Sequence, residues 1–233
     1  MSFKISIICS VRNCLSETAA FLSSLKKHPP QFLDRVIILD DGSDQETEEF
    51  LSENAGFYEL YRNKKSKGFA FSNNFGVSKV DSEWILFMNN DLVLAKEWSK
   101  PFESIIEGKD ELKKLGCLGN IQTEPVSNKI DHAGVVFKSG IPEHFLKGEN
   151  SKPEEGYSEF LAVTGACLMV RRELFLSMGG FDETYRTGFE DIDLCLRLGM
   201  LGYRHYVANR SEVAHKRSST PERNQFQKHN SKI

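Results

Sequence analysis

Polar residues able to do chemistry gather at three places in this chain: Asp40-Asp41-Gly42-Ser43, Asn89-Asn90-Asp91 and Glu190-Asp191-Ile192-Asp193. The first two each follow a short apolar run, at residues 36–39 and 85–88, and a third such run at 5–9 leads into Ser10 and Asn13. Taken singly, each cluster has an ordinary explanation. Asp-Gly is a common turn pair, Asp44 can cap a following helix, and carboxylates are favoured in a first helical turn by the macrodipole. Convergence argues for more, because ligands of an open α/β sheet bind beyond the carboxyl ends of its parallel strands, which puts the first two clusters on one crevice. Carboxylates repel phosphate, so a phosphorylated ligand there needs a divalent cation between, Mg²⁺ or Mn²⁺ with oxygen and sometimes imidazole ligands. Asp91 would hold that cation, and Asp41 suits a pyrimidine N–H or ribose hydroxyls. In the third cluster a carboxylate fixed at a helix N-terminus has the geometry of a general base toward a hydroxyl. His215 follows the apolar-aromatic stretch 203–208 and precedes Lys216-Arg217, and reads either as a satisfied histidine or as a neutral imidazole ligand. His28, His132, His144, His205 and His229 show no spacing that makes a metal site.

The elements that must position these residues follow from periodicity. The runs 5–9, 36–39 and 85–88 are nearly continuous and rich in β-branched residues, the pattern of strands buried on both faces. Between them lie helical patterns: one capped by Ser16 and carrying Phe21, Leu22 and Leu25 before Pro29-Pro30, one capped by Asp44 and carrying Phe50 and Leu51, and one over 70–80. This alternation implies βαβ crossovers. Residues 117–122, 135–138, 160–163 and 166–170 then predict strands of a mixed sheet, with one long helix over 190–201. Residues 139–158, rich in glycine and proline, predict a long surface loop, and 216–233 a basic, mobile tail of net charge +4.

Composition bounds the rest. The 233 residues carry 39% hydrophobic and 27% charged residues, ordinary globular usage, and a net charge of −3 offers no broad basic field for a nucleic-acid backbone. Five cysteines without a Cys-x-x-Cys pair read as small buried hydrophobes of a reducing compartment. With neither a signal-peptide pattern nor a membrane-length apolar run, the expectation is a cytoplasmic protein. Dinucleotide, P-loop, zinc-peptidase and hydrolase-elbow motifs are all absent from the sequence.

An ordered set of segments then resembles the family-2 glycosyltransferases of the GT-A fold. They are Ile5-Ser6-Ile7-Ile8, Leu39-Asp40-Asp41-Gly42-Ser43, Lys67-Gly68-Phe69-Ala70 through Asn74-Phe75-Gly76, Phe87-Met88-Asn89-Asn90-Asp91, Val163-Thr164-Gly165-Ala166, Gly179-Gly180-Phe181-Asp182-Glu183, Glu190-Asp191-Ile192-Asp193 and His215. Asp131-His132-Ala133-Gly134 resembles the branch containing bacterial rhamnosyltransferases of surface polysaccharide synthesis.

The resemblance implies an α/β, GT-A-type Rossmann-like mixed sheet, mostly parallel, with helices on both faces. It implies one domain over 1–215, whose residues 1–92 bind nucleotide and 93–215 meet the acceptor. The implied activity is inverting transfer from a UDP-, dTDP- or GDP-linked sugar to a hydroxyl of a glycan or lipid-linked glycan, with Mn²⁺ or Mg²⁺. Asp191 then resembles the catalytic base, Asp41 the base-recognising aspartate, and Ser10 and Asn73 nucleotide contacts. The family's acidic metal motif is reduced here to Asn89-Asn90-Asp91, so Asp91 and His215 would hold the cation while Asn89 or Asn90 meets ribose. The basic tail reads either as a disordered solubilising segment or as a weak attraction to the inner face of a membrane. Rival readings are a sugar nucleotidyltransferase and a catalytically silent nucleotide-sugar or glycan-binding scaffold.

Overall fold

A computed structural model describes residues 4–185 and 188–217. The chain order is β1 (Ile5–Val11), α1 (Leu15–Lys27), β2 (Leu33–Asp40), α2 (Gln45–Glu53), β3 (Glu59–Arg62), α3 (Phe69–Val77), β4 (Trp84–Met88) and β5 (Leu92–Leu94), then α4 (Lys100–Ile106) and β6 (Leu115–Thr123). It continues with β7 (Ile130–His132), β8 (Val135–Lys138), β9 (Ile141–His144), β10 (Tyr157–Phe160), β11 (Cys167–Arg171), α5 (Arg172–Ser177), α6 (Glu190–Met200) and β12 (Arg204–His215).

The main sheet runs β10-β12-β6-β11-β4-β1-β2-β3, with β5 added beside β12 and β7 beside β6. Along that path β3, β2, β1 and β4 are mutually parallel, as are β6 and β12, whereas β11 and β10 run antiparallel to their neighbours. The sheet is therefore mixed and mostly parallel, as expected. Its strands are apolar on both faces because both faces are covered. In β1, Ile7 packs into the layer formed with Phe21, Leu25 and Phe102, and Ile8 into the opposite layer with Val77, Phe175 and Leu198. Helices α1, α2 and α4 thus cover one face and α3, α5 and α6 the other.

Local chemistry sets the boundaries. Asp44 caps α2 by accepting from Thr47 N, as expected. Helix α1 starts before Ser16, at a Cys14 cap in left-handed conformation, because Thr18 N and its hydroxyl both bond Cys14 O. Residues 160–163 do not form a strand: β10 ends at Phe160, and Ala162 makes a single bridge to Val135. The predicted loop 139–158 is partly structured, since β9 folds back on β8 as a hairpin. The predicted tail lies mostly outside the described residues. Its first two members are held, however: Lys216 N donates to Asp91 O, and Arg217 pairs with Asp131. No helix among the described residues is long and apolar enough to cross a membrane.

Candidate active site

The site lies where β1, β2 and β4 end. Asp41 N donates to Val11 O at 2.8 Å, so the β2 turn closes onto the end of β1. Asn13, with φ 55°, completes the closure: its N–H donates to Ser43 Oγ and its Oδ1 accepts from Asp44 N, both at 2.8 Å. A left-handed asparagine that bonds local backbone is ordinary turn chemistry. Beneath the turn, buried Asp40 accepts from Ser43 N and pairs with Arg62.

Asp41 is buried and fully engaged. Oδ1 accepts from Asn63 Nδ2 at 2.8 Å and Lys67 N at 2.9 Å, and Oδ2 from Ser66 Oγ at 2.7 Å and Gly68 N at 2.9 Å. Burial works against its charge, but these donors prevail and hold the carboxyl below its ordinary pKa. The four acceptor positions of a carboxylate are thereby filled, so Asp41 anchors the 63–68 loop that leads into α3. Gly42 makes the close approach feasible. It has φ +74°, and a Cβ there would stand 2.9 Å from Ser66 N. Asn73, expected at the nucleotide, is fully buried inside α3 with Nδ2 on Phe69 O. Its Oδ1 accepts no hydrogen bond among the described residues. Ser10 is half-buried in β1, opposite Leu39 of β2.

Residues 89–91 follow β4 directly. Asn89 N donates to Ala166 O at 2.9 Å, and Asn90 Nδ2 donates to Thr18 Oγ1 of α1 at 2.8 Å. Antiparallel pairing of Cys167 with Met88 brings the turn before β11 to the end of β4. Next to Ala166 in that turn, Gly165 N donates to Asp191 Oδ2 at 2.6 Å, while Asp191 Oδ1 accepts from Ile192 N at 2.8 Å. The chain of contacts Asp191–Gly165–Ala166–Asn89 thus joins the first turn of α6 to the Asn-Asn-Asp segment. A side chain at 165 would crowd this junction, since its Cβ would lie 3.2 Å from Asp191 Cβ.

Strand β12 closes the site from the other side. Its pairing with β5 sets His215 opposite Leu92, beside Asp91, and the buried pair meets with Nε2 3.2 Å from Asp91 Oδ1. The other ring nitrogen, Nδ1, lies 3.2 Å from Oδ2 of Asp131 on β7. Burial alone would depress the imidazole; the two carboxylates outweigh it and raise its pKa above the ordinary value. Burial likewise opposes the charge on Asp131, yet His215 and Arg217 hold that carboxyl well below its usual range. A carboxylate and an imidazole nitrogen meeting in a buried site form a donor set that suits Mn²⁺ or Mg²⁺. Asp91 and His215, 124 residues apart in sequence, are therefore brought together as expected.

Three residues here were not expected. Asp131, His132 and His144 gather behind His215: the rings of His132 and His144 stand edge to face at 4.8 Å, and His144 Nδ1 lies 3.0 Å from Asp131 O. Burial, followed by the His144 charge, depresses the His132 pKa strongly, so that ring is neutral. Only the β8–β9 hairpin unites these residues, although the Asp131-His132-Ala133-Gly134 segment was already conspicuous. A further buried group, Cys117, Cys195 and His205, has ligand atoms within 4.8 Å of one another. It offers no ring lone pair, because His205 Nδ1 accepts from Cys117 N and Nε2 faces Cys195 O.

Comparison with known proteins settles the family. The model of glycosyl transferase family 2 matches residues 6–177, a stretch that holds both strand-end clusters and the Gly165 turn. The chain belongs to glycosyl transferase family 2. A second model, glycosyl transferase family group 2, matches residues 151–230 of this family-2 chain. The O-antigen biosynthesis protein RfbC of Myxococcus xanthus is 31% identical over 64% of the chain and 12% of its own length. Rhamnosyltransferase WbbL of Escherichia coli is 30% identical over 60% of the chain and 58% of its own length. The family-2 chain thus spans less than two thirds of the length of these curated relatives. A crystal structure of GalNAc-T7 with UDP, GalNAc and Mn²⁺ superposes with a TM-score of 0.73 at 16% identity, covering 91% of this chain and 44% of that one. That likeness shows a GT-A fold.

Proposed function

We propose that this chain transfers a sugar from a nucleoside-diphosphate donor to a hydroxyl of a glycan or lipid-linked glycan, with inversion at the anomeric carbon. The observation that carries the reading is the meeting of Asp91 and His215 after β4, a segment that the Asn89 N–Ala166 O and Gly165 N–Asp191 Oδ2 hydrogen bonds link to the carboxylate of Asp191. Nucleobase and ribose would lie across the ends of β1 and β2, against Ser10, Asn89, Asn90 and the 63–68 loop that Asp41 organises. Asp91 and His215 would hold Mn²⁺ or Mg²⁺, which, when bound, offsets negative charge developing on the leaving diphosphate. Mn²⁺ and UDP accompany GalNAc-T7 in its crystal structure, which favours that assignment.

Asp191 would take the proton from the acceptor hydroxyl as its oxygen attacks the anomeric carbon from the face opposite the diphosphate. Backbone N–H groups of Gly165 and Ile192 fix the carboxylate, and each oxygen keeps a lone pair for that proton. RfbC and WbbL favour a role in bacterial surface polysaccharide assembly. Such a setting fits a cytoplasmic enzyme that meets its acceptor at the inner membrane face.

Product analysis tests the reading. The purified protein is incubated with UDP-, dTDP- and GDP-sugars, Mn²⁺ and a bacterial extract of glycans and lipid-linked glycans as acceptors, and in parallel with nucleoside triphosphates and sugar 1-phosphates, and the released phosphates are identified. A nucleoside diphosphate is expected. Pyrophosphate from a nucleoside triphosphate and sugar phosphate would instead establish a nucleotidyltransferase, and no turnover with any donor a silent scaffold.

A further inference from the structure

Asp131 belongs to neither strand-end cluster, yet it is buried and aimed at His215. It sits in β7, a three-residue strand pinned at both edges. One edge pairs with β6; on the other, Ile130 N donates to Glu149 O and Gly148 N to Ile130 O, at 2.9 and 2.7 Å. Its carboxylate lies 3.2 Å from His215 Nδ1 and 2.8 Å from Arg217 Nε. Asp91 occupies the opposite side of the same ring, 3.2 Å from Nε2.

A neutral imidazole carries one N–H, and whichever group accepts it leaves the other nitrogen's lone pair available. Asp91 is a rival acceptor at Nε2, but a cation held by Asp91 would exclude an N–H there and leave the Asp131 carboxylate as the acceptor at Nδ1. The reverse tautomer would press a lone pair against the Asp131 charge and aim an N–H at the position where a cation must bind. The ring plane is fixed as well, since Asp131 and Asp91 grip opposite edges. Arg217, two residues beyond His215, keeps the second side of the Asp131 carboxylate occupied and fixes its rotamer.

We propose that Asp131, backed by Arg217, is a positioning residue that sets the tautomer and ring orientation of His215 so that Nε2 faces the cation shared with Asp91. This rests on the assignment of Asp91 and His215 as cation ligands. It gives a task to the Asp131-His132 segment, which the proposed chemistry otherwise leaves idle. Partners of this kind behind a metal-binding histidine typically change metal affinity about 10–100-fold.

The test uses the full chain with ¹⁵N-labelled histidine. In the metal-free protein at alkaline pH, where the ring is neutral, Asp91 and Asp131 compete for its one proton, so wild type is expected to populate the Nδ1–H tautomer in part and Asp131→Asn less. In Asp131→Ala the Nδ1–H form is expected to give way to Nε2–H donated to Asp91. Mn²⁺ alone is then titrated, and paramagnetic broadening of the His215 resonance is followed. Asp131→Ala should need about 10–100 times more Mn²⁺ than wild type, and Asp131→Asn, which keeps an acceptor oxygen, should fall between. Equal broadening in wild type and both variants, or an unchanged tautomer in Asp131→Ala, overturns the positioning role and leaves the cation site standing. Should His215 of the wild type not broaden, or should Asp91→Ala broaden equally, the cation assignment falls first. If Asp131→Ala does not fold, Asp131→Asn decides alone: it must populate Nδ1–H less than wild type and bind Mn²⁺ more weakly.

Discussion

Replacing Asp191 by asparagine separates the chemical role of this carboxylate from its structural one, and both effects can be sized. Structurally, Oδ2 accepts from Gly165 N at 2.6 Å and Oδ1 from Ile192 N at 2.8 Å. An amide has one acceptor oxygen, so it serves one of these N–H groups and sets its own NH₂ against the other. A buried donor left unpaired costs about 1–3 kcal/mol. Asp191 is only half-buried, so water can reach the abandoned N–H, and the lower end applies. About 1 kcal/mol lowers the melting temperature of a chain this long by about 2–4 °C. Chemically, loss of a general base removes about 10²–10⁴-fold in rate. The two scales differ enough to be read apart. At 25 °C the Asp191→Asn protein should remain folded and bind the donor nucleotide as wild type does, while turnover at saturating donor falls by about two to four orders of magnitude. The assay is nucleoside-diphosphate release, run beside a melting curve. Near-normal turnover in a variant that melts a few degrees early would refute the base assignment and leave Asp191 as a brace for the Gly165 turn.

Other perturbations probe the rest of the site. In Asp91→Ala and His215→Ala, thermal stabilisation by UDP, dTDP, GDP or CMP with Mn²⁺ should disappear; in wild type a bound ligand at 100 times its Kd adds about 2.7 kcal/mol, abolished by chelator. Asp41→Ala should release the 63–68 loop, so that the already exposed Lys64, Lys65 and Lys67 can adopt the extended backbone trypsin needs and are cleaved faster than in wild type. Because the folded pKa of Asp41 is lowered, the unfolded chain takes up that proton first. Its stabilisation is therefore complete above about pH 4 and is lost as pH falls through the folded value, so Asp41→Asn should flatten the acid limb of the stability profile. Gly76→Ala would put a Cβ 2.4 Å from Ile8 Cγ2, where α3 meets β1, and should cost about 1–3 kcal/mol in denaturant unfolding without changing nucleotide preference.

Which parts of the site were legible in the sequence follows from how each part is built. Strands β1, β2 and β4 are buried on both faces, so Ile7 and Ile8 must both be apolar, and the run stops where the chain leaves the sheet. Polar residues just past such a run are marked by contrast alone, which made Asp41, Asn89, Asn90 and Asp91 visible. Strand β12 gives no such contrast, because its register with β6 shifts between Ala208 and Glu212 and Asn209 and Arg210 interrupt the apolar pattern. Its end at His215 was therefore visible as a histidine before two cations, but its pairing with β5 was not. Asn73 is a related case: helical spacing says that a residue lies on α3 but not how deeply it is buried there, and Asn73 is buried with Nδ2 on Phe69 O. The Asp131, His132 and His144 group left still less trace. It exists because Phe145 N returns to Gly134 O and the β8–β9 hairpin folds His144 over His132, a closure carried by backbone groups that every residue possesses. Half of the site thus stands on strand ends and is written in local hydrophobic contrast, while the half that grips His215 is written in chain reversals. Sequence alone displays the first half and leaves the second to the folded chain.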